Sequence, residues 1–455
     1  MPADVLALTG AQLGVWYAQR LDPADPSFNV GQYVELCGPL DLDLFGEAVR
    51  IGVGETQALN VRIVDGPDGP WQVIGEAPGW DLDVVRCDPE EALRAMRADL
   101  ATPVDVLTGP LLAEVLYEVG PQRYLWYQRF HHILMDGYSF TLLAGRVARI
   151  YTALVGGRPY GDSPFGRLGA IVGQEIDYRA SGRREQDRDW WRDHFGDRPE
   201  AAEITSGAGE HGFLRERTEF PGQALLAVAK EVGGTWADAV TAVTAAYTWR
   251  MTGAPDVVLG MPFAGRFGAA STRVPGMAVN VLPVRVTPER GETFADLVRR
   301  AAAEIVAVRA HQHYRGEDLQ RDLDLVGSGR KLYGPSVNVK AFDYALSFAG
   351  IDGVTRNLAA GPVDDLEFSF YKSPADVLAV ELDGNPGKCS PESLRAHLRR
   401  FLAFAEALAV APRTPIAELP LITSPERDLV LDGWNATGTP VTGATVVEAF
   451  RAQAR

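Results

Sequence analysis

The chain has 455 residues, 46% of them hydrophobic and 23% charged, enough for two or three domains of roughly 150 residues whose cores need no staples. A formal net charge of -16 makes nucleic acid a poor partner for the molecule as a whole. Cys37, Cys87 and Cys389 are far apart and odd in number, and Met1-Pro2-Ala3-Asp4 opens no leader, so a cytoplasmic protein without disulfides or membrane spans is expected.

In chain order, a helix is predicted from Thr9, with Leu13, Val15, Trp16 and Leu21 as its apolar contacts. Residues 32–36 read as a strand, and residues 41–54 as a helix with Leu44, Phe45, Ala48 and Val49 on one face. Residues 111–117 and 124–130 are two buried strands. Ser139 is expected to cap a helix carrying Leu142, Leu143, Val147, Ile150 and Tyr151. Gly161, Pro164 and Gly166 mark a boundary between lobes.

A polar helix over 174–195 follows, with the Trp190-Trp191 pair, which reads as packing rather than a ligand cage. Residues 235–251 are helical, 256–259 a strand, 279–286 a buried strand and 294–309 an Ala-rich helix. Strands and helices alternate throughout, which predicts an α/β fold in two lobes, 1–165 and 166–420. The remainder, 421–455, has the composition of a linker with one short helix. A helical pattern still running at Arg455 leads us to expect a longer polypeptide.

One stretch carries chemistry: His131-His132-Ile133-Leu134-Met135-Asp136-Gly137, fed by a strand and left by a helix, where a sheet edge presents side chains to a crevice. Polar residues packed at a strand end are the plainer reading, and two His, Asp and Gly at these offsets weigh against it. An imidazole with a pKa near about 6.5 can accept a proton from an attacking amine, whose own α-ammonium value is roughly 8. His132 could equally orient that amine. Asp136 could hold the imidazole tautomer or pair with an arginine, and Gly137 allows a tight turn and an N–H for an oxyanion.

This HHxxxDG pattern resembles the signature of condensation domains of nonribosomal peptide synthetases, above all those of siderophore-type serine modules and of assembly-line starters. The likeness covers nearly the whole chain. Ala11-Gln12 with Trp16 is similar to the family's opening motif. Gly260 to Arg266, Gly276 to Pro283 with Arg285, Tyr333 to Asn338 and Gly361 to Leu366 are similar to later ones, in the family's order. Trp434-Asn435-Ala436-Thr437 resembles the link to an adenylation domain.

The resemblance implies two chloramphenicol-acetyltransferase-like lobes in a V-shaped pseudo-dimer, with the active site in a tunnel between them. It implies amide bond formation between a donor acyl thioester and an acceptor aminoacyl thioester, each on the 4'-phosphopantetheine arm of a carrier protein. No tightly bound cofactor and no metal are then expected, and the product would be a siderophore or another secondary metabolite. By the same match His132 is the functional histidine, His131 is mainly structural, Gly137 completes the motif and Asp136 pairs with Arg285. Ser336, Asn338, Gly361 and Asp365 are expected along the substrate tunnel. An aryl or other non-peptidyl donor is slightly favoured. The family's early Arg-His-Glu stretch is replaced by Val53 to Arg62, which leaves the role of Arg62 open.

Rival readings are an epimerisation domain, a coenzyme A-dependent acyltransferase of the same fold, or a silent recruitment platform. The first would need a second acid/base, and the sequence offers no clear glutamate for it. His311-Gln312-His313 lacks a third metal ligand nearby and reads as the end of a helix.

Overall fold

Short-range hydrogen bonds set the elements of the first lobe. After β1 (Val5–Ala7), the Thr9 hydroxyl receives the Gln12 N–H at 3.2 Å and the Gln12 amide oxygen receives the Thr9 N–H at 2.9 Å, which starts α1 (Gly10–Leu21). Next come β2 (Asn29–Cys37) and α2 (Leu42–Glu55), capped by Asp41. Then follow β3 (Val61–Gly66), β4 (Gly69–Ile74), β5 (Asp83–Arg86) and α3 (Pro89–Leu100). The lobe ends with β6 (Leu112–Gly120), β7 (Arg123–His131) and α4 (Gly137–Val155). In this computed structural model residues 4–76, 79, 81–341, 345–372, 377–438 and 445–455 are described.

The second half runs through α5 (Gly169–Ala180), α6 (Arg183–His194), β8 (Leu214–Pro221), α7 (Gln223–Glu231) and α8 (Trp236–Thr252). It continues with β9 (Val258–Phe263), α9 (Gly268–Ser271), β10 (Asn280–Arg285), α10 (Phe294–Ala310) and α11 (Gly316–Asp322). β11 (Ser336–Val339), β12 (Leu346–Phe348), β13 (Ile351–Ala359), β14 (Leu366–Lys372), β15 (Val377–Gly384) and α12 (Pro391–Val410) complete it. The polar helix expected over 174–195 is two helices, because the chain breaks at Ser181-Gly182.

Two six-stranded sheets organise these elements, in the orders β12-β13-β2-β7-β6-β5 and β10-β9-β11-β14-β15-β8, and β1-β4-β3 form a small third sheet. On the first sheet α2 and α4 bury Phe45, Val49, Leu143, Val147 and Tyr151 against Val34 and Trp126, with Phe45 edge-on to Trp126 at 5.4 Å. α3 covers the other face through Ala92 and Met96. The second sheet has its own larger core around Val243, Phe368 and Phe401.

The boundary expected at 165/166 divides the sheets with one exception. β12 and β13, from the second half, complete the first sheet: β13 pairs antiparallel with β2, from Gly353 opposite Leu36 to Ala359 opposite Gly31. Arg215 of β8 reaches this strand, bonding the Asn357 carbonyl at 2.9 Å and side chain at 2.7 Å while it grips Asp383. The second lobe is therefore not one contiguous segment. Beyond Pro420 the chain leaves both cores, and Trp434, Val446 and Phe450 are exposed, while 439–444 fall outside the described residues. No described helix is long and apolar enough to cross a membrane.

Candidate active site

β7 delivers the two histidines and α4 carries the chain away, as the strand-turn-helix pattern requires. His131 is the last residue of β7, opposite Asn29 of β2, and its N–H donates to the Leu111 carbonyl at 2.8 Å. Its ring is buried. The Ile133 N–H donates to Nδ1 at 3.2 Å, so Nε2 carries the proton and donates to Gln19 Oε1 at 3.1 Å. Burial, helped by the adjacent His132 and Arg129, pushes its pKa down to about 3. His131 is a fixed neutral spacer.

His132 turns the other way. Its Nδ1–H donates to the Met135 carbonyl at 2.9 Å, which leaves the Nε2 lone pair free. Burial lowers its pKa below the ordinary imidazole value, against the opposing pull of Asp136 and the Met135 carbonyl. The ring is thus neutral at pH 7 and able to accept a proton. Beside it lies Gly361, with φ +126; a Cβ there would stand 3.4 Å from Cδ2 and 3.7 Å from Nε2 of His132. Glycine keeps that approach to the imidazole open.

Asp136, not Ser139, caps α4: its Oδ1 receives the Ser139 N–H at 3.1 Å and hydroxyl at 2.9 Å. Nor does it pair with Arg285. Arg266 meets it as a fork, 2.7 Å to Oδ2 and 3.1 Å to Oδ1, with both side chains almost fully buried. Burial alone would raise the Asp136 pKa, but the Arg266 charge and hydrogen bonds, the Ala278 N–H and Ser139 outweigh it and hold the carboxyl below its usual range. Arg285 sits at the far end of β10, where it binds Asp256 at 2.9 Å and Asp197 at 3.0 Å. At about 3.3 Å per residue, the seven residues from Ala278 to Arg285 carry it more than ~20 Å along the strand from Asp136.

Arg266 belongs to the second lobe, so this ion pair bridges the two. The same guanidinium donates to the carbonyls of Gly276 at 2.8 Å and Val274 at 3.3 Å and lies 4.9 Å over the Tyr138 ring. Tyr138 OH and Thr9 Oγ1 reach the Thr272 and Met277 carbonyls at 2.9 and 3.0 Å. Gly265, at φ +63, permits the turn: a Cβ would fall 1.9 Å from the Ala278 oxygen. Gly137 opens α4 at an exposed position, and a Cβ there would meet nothing within 4 Å. Its N–H has no acceptor among the described residues and stands at the positive end of a 19-residue helix.

The expected tunnel residues separate. Gly361 joins the motif. Ser336 and Asn338 lie on β11 opposite Glu367 and Ser369, and Asn338 donates to Glu367 at 3.3 Å. Asp365 is buried, and its carboxylate receives the N–H groups of Ile204 and Thr205, each at 2.8 Å, and the Thr205 hydroxyl. His311 binds Asp187 at 2.8 Å and stacks on Trp190 at 4.2 Å. No described cluster of three or more His, Cys, Asp or Glu could hold a metal. The roles of Arg266, Gln19 and Gln12 were not read from sequence; Gln12, which donates to the Ile133 carbonyl at 3.0 Å, and Arg266 stood inside motifs already singled out.

A family model for condensation domains matches residues 2–431. The chain is 41% identical over 459 residues to a dimodular nonribosomal peptide synthase of Bacillus subtilis, covering 98% of this chain and 19% of that protein. It is 31% identical over 424 residues to enterobactin synthase component F of Shigella flexneri, covering 90% of this chain and 33% of that one. It thus spans a fifth to a third of these relatives. The starter condensation domain of rhizomide synthetase, in complex with C8-CoA, superposes with a TM-score of 0.88 at 38% identity, over 92% of this chain and 98% of that one. The first condensation domain of the calcium-dependent antibiotic synthetase gives 0.87 at 33% identity, over 92% and 100%.

Proposed function

The chain belongs to the condensation-domain family of nonribosomal peptide synthetases, and on that footing we propose that it joins a donor acyl thioester to an aminoacyl thioester. Members of this family are acyltransferases that form amide bonds. The observation that carries the reading is the orientation of His132: Nδ1–H is anchored on Met135 at 2.9 Å and the basic Nε2 is left beside Gly361.

The acceptor amine attacks the thioester carbonyl carbon and a C–N bond forms. The carbonyl oxygen becomes an oxyanion, for which the Gly137 N–H at the start of α4 is a candidate backbone donor. His132 Nε2 accepts the proton lost by nitrogen. Collapse breaks the C–S bond, and the proton passes to the departing thiolate, which leaves as the donor arm's thiol. Because the α-ammonium has a pKa of only roughly 8, much of the rate enhancement comes from positioning both arms. Asp136 and Arg266 act as positioning residues by fixing the turn that aims His132.

Both substrates arrive on 4'-phosphopantetheine arms of carrier proteins, and the segment after Pro420 leads toward an adenylation domain. We place the reaction in the cytoplasm, where Cys37, Cys87 and Cys389 stay free thiols. The test is a reconstituted condensation between acyl-loaded and aminoacyl-loaded carriers, read by intact-protein mass spectrometry. The His132→Ala protein is expected to keep its fold and lose about 10²- to 10⁴-fold in rate. Equal product from both proteins would remove His132 from the chemistry. No product from either would favour a recruitment platform.

A further inference from the structure

Two glutamines sit in the interior of the first lobe, Gln12 at 1% and Gln72 at 0% exposure. Gln12 lies on α1, and Gln72 lies on the central strand of the small third sheet, between Leu6 of β1 and Ile63 of β3. Their amides meet head to head. Gln12 Nε2–H donates to Gln72 Oε1 at 3.1 Å, and Gln72 Nε2–H donates to Gln12 Oε1 at 3.0 Å. Backbone partners at both ends fix this orientation. Gln12 Oε1 also accepts the Thr9 N–H at 2.9 Å, and Gln72 Nε2–H also donates to the Ala7 carbonyl at 2.9 Å.

The second N–H of Gln12 goes to the Ile133 carbonyl at 3.0 Å, so every donor and acceptor position of that amide is used. Ile133 follows His132 in the turn whose Met135 carbonyl anchors the His132 ring at 2.9 Å. On the other side of His132, Gln19 holds the His131 ring at 3.1 Å. The start of α1 is itself held by the second lobe. Thr9 Oγ1 donates to the Met277 carbonyl at 3.0 Å, and both oxygens of Glu175 accept the Gly10 N–H at 2.9 Å. A buried amide pair offers little net stability over packed apolar side chains, because desolvation offsets most of its bonds. What it adds is direction.

We infer that the Gln12–Gln72 pair positions His132: it fixes the Ile133 carbonyl and so ties the aim of the imidazole to the third sheet and to the lobe seam at Thr9. The inference rests on the amide-forming reading and adds two positioning residues to it. Gln72 lies outside every motif named above. Neither glutamine touches substrate; both act through the turn.

The test uses Gln12→Met and Gln72→Met, which keep chain length and burial but remove the amide. Thermal melts first establish that each variant is folded under the assay conditions. In the condensation assay, kcat should fall by about 10- to 100-fold for Gln12→Met, because a small misplacement of a reacting group is costly. KM for the acceptor carrier should stay unchanged, and Gln72→Met, which spares the bond to Ile133, should lose less. Nitrogen-15 spectra of histidine-labelled protein give a second readout, with His132 assigned by comparison with His132→Ala. The wild type should show one Nδ1–H tautomer, and both variants should show a second as the Met135 anchor loosens. Wild-type rates and spectra in either folded variant overturn the relay. So does a loss of kcat with the wild-type tautomer kept, since the turn would not have moved. The spectra decide the matter even if no amide forms, and Gln72→Met decides it if Gln12→Met does not fold.

Discussion

Arg266 and Arg285 differ in what their loss should do. Removing Arg266 strands Asp136, a carboxylate 3% exposed, inside the seam between the lobes. Arg266→Ala is therefore expected to destabilise the protein by about 3–5 kcal/mol. Arg285 is partly exposed on carboxylates that water can reach, and Arg285→Ala should cost no more than about 1 kcal/mol. Urea denaturation of the two variants separates them, and similar losses would refute the assignment. His131 sets a different, pH-dependent limit. Its folded value of about 3 lies below the ordinary value of 6.5, so the unfolded chain binds the proton first as pH falls. Its contribution is complete above pH 6.5 and is lost downward from there, by about 2 kcal/mol at pH 5. Denaturation at pH 7 and pH 5 should show this slope in the wild type and a flatter one in His131→Gln. A slope that the substitution leaves unchanged would assign it to other groups. At this scale the sequence showed His132 and its turn because strand, motif and helix are contiguous. The partner of Asp136 was not legible, since two arginines follow similar glycine and proline motifs and only the packed lobes decide which one arrives.

Elements were readable where periodicity and caps agree. α1, α2, α8 and α10 lie within a residue or two of expectation, each with Thr or Asp at its N-cap. α4 was expected from a Ser139 cap and starts three residues earlier, at Gly137, capped by Asp136. Ser139 and Asp136 are both good capping residues three positions apart, and the ion pair with Arg266 holds Asp136 where its carboxylate also caps. The split between α5 and α6 was obscured because polar residues run through the break, leaving no change of pattern except Ser181-Gly182. β13 reads as a strand in burial, yet its membership of the first sheet has no local signal at all. Strand partners more than 300 residues away are a property of topology, which propensity does not encode.

Across the molecule, the chain passes between the lobes near residues 161–163 and again to place β12 and β13 in the first sheet, and non-covalent contacts join the lobes as well. The passage at Gly161, Asp162 and Ser163 is exposed, while Arg146 holds its start through the Tyr160 and Gly161 carbonyls at 3.0 and 2.9 Å. A protease site placed at 161–163 should give two fragments that still co-elute on size exclusion in native buffer and separate only in denaturant. The nine-residue β13, the Asp136–Arg266 fork and the Arg215–Asn357 contact hold them together. Fragments that part in native buffer would show these contacts to be weaker than the architecture implies.

The place of β13 also has a consequence for how the molecule comes into being. As the chain leaves the ribosome, β2, β7 and β6 are available by residue 131, but the strand that closes the β2 edge is made more than two hundred residues later. Until then β2 offers an open row of N–H and C=O groups, the kind of edge that recruits foreign strands. The nascent first lobe must wait, shielded or transiently misfolded, for its own distant segment. Swapping the first lobe between assembly lines therefore calls for a graft in two pieces, with Leu346–Phe348 and Ile351–Ala359 travelling alongside the amino-terminal part.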